Sequence, residues 1–98
     1  MTPTAKQQLE DLLNDALDEQ RQIAIKKIKG IISSFSDRYD ELVKKEFKLR
    51  EFNRIEVGKW NANVDLMNWN KRQIEVMNSE ETACRHVINL LKEELEKL

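Results

Sequence analysis

The chain predicts an all-α fold, and three observations carry that expectation. Gly occurs twice and Pro once in 98 residues, whereas a β-sandwich or barrel of this size needs many turns built from those residues. Apolar residues recur at three- and four-residue spacing along most of the chain. Charged residues make up 36% of it and fall between the apolar positions as solvated faces. The expected architecture is a helical bundle or long helical hairpin of three helices, at about residues 4–29, 36–57 and 62–97, with coiled-coil-like packing completed by oligomerisation. Residues 1–98 form a single helical domain.

The first helix has a clear start. Either Thr2 caps it with Pro3 at the first helical position, or Thr4 caps it with Gln7 three residues on. Leu9, Leu12, Leu13, Ala16, Leu17, Ile23, Ala24 and Ile28 then mark one face. Acids gather early and Lys26, Lys27 and Lys29 late, an order that complements the helix dipole.

Gly30 and the stretch Ile31-Ile32-Ser33-Ser34-Phe35-Ser36 combine weak helix formers. A bend or break is expected here, with Ser34 or Ser36 capping the second helix. One continuous helix is the alternative, because Ala24, Ile28, Ile31, Phe35, Tyr39 and Leu42 stay in phase across the stretch. In the second helix Asp40–Lys44, Glu41–Lys45 and Glu46–Arg50 are acid-first pairs four residues apart.

Val57-Gly58-Lys59 is the strongest turn signal, with Gly58 expected in the left-handed conformation that ends a helix. Asn61 and Asn63 then offer caps for the third helix. That helix is expected to run for roughly 50 Å.

A wheel of about 100° per residue splits the apolar residues of its first half into two sides. Ala62, Leu66, Trp69 and Val76 fall on one; Trp60, Val64, Met67 and Ile74 fall nearly opposite. Further on, Val87, Leu91, Leu95 and Leu98 belong to one broad face. A bundle helix needs one apolar stripe. Two stripes imply a second chain, so Leu66, Trp69, Val76, Val87, Leu91, Leu95 and Leu98 are the candidate oligomer or partner interface.

Charge is unevenly distributed. Residues 1–22 carry a net −3, residues 23–60 a net +4, residues 61–78 zero and residues 79–98 a net −2. The basic middle supplies an alternative reading, nucleic-acid binding through Lys44, Lys45, Lys48, Arg54, Lys59, Lys71 and Arg72. Acids interleave with every one of these clusters, which favours ordinary solvated faces.

Nothing in the sequence points to catalysis. One His and one Cys, His86 and Cys84, are not a metal-ligand set. Cys84 sits in an apolar run and reads as a small buried hydrophobe, whereas His86 reads as a surface residue. No Gly-x-Ser-x-Gly elbow and no phosphate-cradling Gly loop is present. No cofactor is expected. No run reaches about 18 apolar residues, so no membrane partner is expected. The absence of a leader-like N-terminus and the single Cys favour a reducing, cytoplasmic setting. The expected function is a non-catalytic protein–protein interaction or assembly module acting as a helical homo-oligomer, with a dimer favoured.

Overall fold

A computed structural model describes residues 4–98. It contains two helices, α1 at Ala5–Glu56 and α2 at Val64–Glu96, packed antiparallel as an extended hairpin. No strand occurs among the described residues. The described chain extends over 89 × 15 × 14 Å.

The starting cap is Thr4, whose hydroxyl accepts from the Gln7 amide at 3.2 Å. The Thr2–Pro3 alternative lies outside the described residues. The expected break between residues 29 and 36 does not occur, and the three expected helices become two. The in-phase apolar stripe explains this. Ile28, Ile32, Phe35 and Tyr39 turn toward α2 and are half-buried, whereas Gly30, Ser33 and Ser34 fall on solvated positions. Glycine costs a helix about 1 kcal/mol relative to alanine, and burial along the stripe outweighs that penalty.

The two helices meet along a seam whose spacing alternates four and three. On α1 it comprises Ile28, Ile32, Phe35, Tyr39, Leu42, Glu46, Leu49, Asn53 and Glu56. On α2 it comprises Met67, Asn70, Ile74, Met77, Glu81, Cys84, Ile88, Leu91 and Leu95. Every one of these residues is buried or half-buried, and Leu42, 2% exposed, is the most enclosed. A mean period of 3.5 keeps one face of each helix on the other over many turns.

The turn also departs from expectation. Gly58 does not adopt positive φ. Instead α1 ends with tightened bonds, Gly58 N–H to the Ile55 carbonyl at 3.2 Å and Lys59 N–H to the Glu56 carbonyl at 3.0 Å. Such short-range bonds satisfy terminal carbonyls without a left-handed residue. Asn63 caps α2, its side-chain oxygen accepting from the Leu66 amide at 3.1 Å. Glu56 reaches across the turn and accepts from the Asn63 amide at 3.0 Å, tying the two helix ends together. Trp60 lies in this turn, 98% exposed, rather than on a third helix. The pattern of two opposed Trp stripes therefore dissolves: Met67 and Ile74 face α1, while Leu66, Trp69 and Val76 remain on an exposed flank.

The helices are unequal. At 1.5 Å per residue, α1 with 52 residues spans about 78 Å and α2 with 33 spans about 50 Å. The excess is an N-terminal arm in which every residue from Thr4 to Ile23 is exposed.

Candidate protein-association surface

Among the described residues the arm is an apolar feature without a partner. Leu9, Leu12, Leu13 and Leu17 are each 56–66% exposed, and Ile23 is similarly open at its root. An isolated helix of this length is marginal in water and draws its stability from tertiary packing. Here α2 ends before it can supply any. No sequence signal marked the arm, because an amphipathic stripe looks the same whether its partner lies in the same chain or another.

The candidate interface residues separate into two groups. Leu91 and Leu95 lie in the hairpin seam, with Val87 half-buried beside them. Leu66, Trp69, Val76 and Leu98 are exposed. Trp69 lines a shallow cavity of about 270 Å³ with Lys45, Lys48, Leu49, Gln73 and Met77. The structure thus assigns Leu91 and Leu95 to contact within the chain and leaves the Trp69 flank open.

The basic residues divide into ion-paired and unpaired groups among the described residues. Lys45 is held by Glu41 at 3.1 Å, Arg54 by Glu51 at 2.9 Å and Lys59 by Glu56 at 3.2 Å. Lys44, Lys48, Lys71 and Arg72 have no such carboxylate among the described residues. Of the expected acid-first pairs, Glu41–Lys45 and Glu46–Arg50 form.

Polar groups inside the seam were not anticipated. Near the turn, Asn70 donates to the Asn53 side-chain oxygen at 3.1 Å, and Asn53 donates to the Met67 carbonyl at 3.1 Å. Midway along, Glu46 and Glu81 are both buried. Glu46 accepts from Arg50 at 2.6 and 2.9 Å. With its amide nitrogen turned toward the carboxylate, Asn78 donates to Glu46 at 2.7 Å. A hydrogen bond from Glu81, aided by Arg50, holds the Glu46 carboxyl below the ordinary glutamate range. Burial, and the nearby Glu46, push Glu81 above it. One Glu81 oxygen has no hydrogen-bond partner. Loss of solvation disfavours the charged form of a buried acid and so raises its pKa.

Cys84 is buried in the seam and His86 is exposed. Among the described residues no group of three or more His, Cys, Asp or Glu side chains is disposed to hold a metal ion. No helix among them is long and apolar enough to cross a membrane. Comparison of the chain with protein-family models, curated proteins and solved structures finds no match.

Proposed function

We propose that the chain is a non-catalytic assembly module, in which the hairpin is a stiff stalk and the arm is the element that associates with other chains as a helical homo-oligomer. One observation carries this reading: a helical arm with four leucines exposed by more than half and no partner among the described residues. Large contiguous apolar surfaces on small proteins mark interaction sites. The Trp69 flank offers a second contact surface on the hairpin itself.

Light scattering at micromolar concentration tests the proposal. The expected mass is about twice the 11.6 kDa of one chain. A monomer throughout the accessible concentration range overturns it.

A second reading, nucleic-acid binding, rests on Lys44, Lys48, Lys71 and Arg72 being free of intrachain carboxylates among the described residues. Its signature is affinity for duplex RNA or DNA that falls steeply with salt and is lost on reversing Lys44 and Lys48 to Glu. Pairing of the neighbouring bases with acids favours the assembly reading over this one.

A further inference from the structure

We propose that the arm docks antiparallel on the arm of a second copy of this chain, the acidic tip of each lying over the lysine-bearing root of the other. The inference rests on the assembly reading above and names the partner and its orientation.

Charge complementarity selects this occupant. From Thr4 to Gln22 the arm holds five acids against Lys6 and Arg21. From Ile23 to Ile31, where the arm's root enters the hairpin, α1 holds Lys26, Lys27 and Lys29 and no acid. Among the described residues, none of Glu10, Asp15, Glu19, Lys26 or Lys27 is ion-paired within the chain. One element therefore carries two unsatisfied blocks of opposite sign, end to end.

A parallel pair of arms sets acid on acid and lysine on lysine, which is unfavourable. An antiparallel pair centred near Gln20 sets each block on its opposite, and the twofold axis makes every contact twice. Both blocks border the apolar stripe. At about 100° per residue, Leu9, Leu13, Ala16 and Ile23 define its centre, and Asp15 and Lys26 fall on the same edge three turns apart. In an antiparallel pair that edge meets its own copy, so Asp15 of each arm lies against Lys26 of the other. Lys27 falls within the stripe itself, where its aliphatic stem covers leucine while the ammonium reaches the partner's acids. Gln20, near the axis, can both donate and accept, so it pairs with its symmetry mate and disfavours a slipped register.

A foreign basic helix would satisfy the tip but leave the lysine root facing like charge. A foreign acidic helix has the converse fault. A second copy of the arm answers both.

Reciprocal charge reversal tests the proposal on the full chain. Sedimentation equilibrium is measured for the parent, for E10K/D15K, for K26E/K27E and for an equimolar mixture of the two variants. All four substituted positions are exposed, and circular dichroism verifies that helix content is retained. The expected result is a dimeric parent, each variant weakened at least tenfold in self-association, and a mixture that recovers the parent's affinity as a heterodimer. A dimeric parent whose variants dimerise unchanged, or whose mixture is not rescued, overturns arm-to-arm docking and leaves the assembly reading standing on another surface. A parent that is monomeric throughout overturns both.

Discussion

Glu46 and Glu81 face each other across the middle of the helix seam, both buried, with Arg50 on the Glu46 side. The relationship is asymmetric. Glu46 gathers donors from Arg50 and Asn78 and its carboxyl lies below the ordinary glutamate range, while burial and the nearby Glu46 push Glu81 above it. Two carboxylates this close to one another cannot both ionise at low cost. Hairpin stability is therefore tied to pH through Glu81.

The sign follows from proton counting. Glu81 titrates higher in the folded chain than in the unfolded one, so over the intervening window the folded state binds more protons. Its contribution is fully present below the ordinary glutamate range and declines as pH rises through the raised value. Glu46 acts oppositely, losing its contribution as pH falls through its lowered value. The expected profile has a maximum on the acid side of neutrality. Glu81→Gln keeps a donor for Glu46 at every pH and should raise the melting temperature at neutral pH and flatten the decline. Thermal melts of both proteins between about pH 4 and pH 8 check this; an identical slope in the two would refute the assignment.

Asn53 and Asn70 fix the register nearer the turn. Asn70→Ala removes the donor to the Asn53 side-chain oxygen and leaves a half-buried group without its partner. The expected cost is about 1–3 kcal/mol in a urea titration. Replacing both by Leu should recover much of it, since a matched apolar pair has no polar group to leave unsatisfied. A double variant as weak as the single one would show that the amide pair contributes more than its own satisfaction.

Gly30 separates one continuous helix from two. No atom lies within 4 Å of where a Cβ would sit, and the residue is helical without positive φ. Gly30→Ala should therefore stabilise the chain by about 0.5–1 kcal/mol, read as an upward shift in the denaturation midpoint. In a turn or hinge the same substitution would destabilise, so a downward shift would restore the break.

The all-helical fold was legible because the apolar spacing is strong from Leu9 to Leu95. The helix count was not. Gly30 and three nearby serines are weak formers, and local propensity cannot register the long-range burial of Ile28, Ile32 and Phe35 that carries the helix past them. The seam was half legible. Counting only apolar residues skips Glu46, Asn53, Glu56, Asn70 and Glu81, which hold seam positions and complete the alternation of four and three. On α2 those polar members interrupt the apolar seam stripe, and the second apolar side, Leu66, Trp69 and Val76, stays exposed. Trp60, counted on the seam side by spacing, lies in the turn instead. The open arm was illegible, because its length follows from where α2 stops.

Leu91 and Leu13 should respond oppositely to the same substitution. Leu91 is half-buried in the seam against α1, so Leu91→Asp places a carboxylate among apolar neighbours and should destabilise the hairpin itself by several kcal/mol, about 2–4. Leu13 is 56% exposed on the arm, so Leu13→Asp should change the stability of the isolated chain by about 0.5 kcal/mol or less. It should instead weaken self-association, because the new charge is desolvated only when a second arm arrives. Dilute thermal melts followed by circular dichroism give the first quantity, and sedimentation at micromolar concentration gives the second. If Leu91→Asp melts like the parent, the seam is misplaced. If Leu13→Asp lowers the melting temperature of the dilute monomer as much as Leu91→Asp does, the arm is packed within its own chain and is not free to associate.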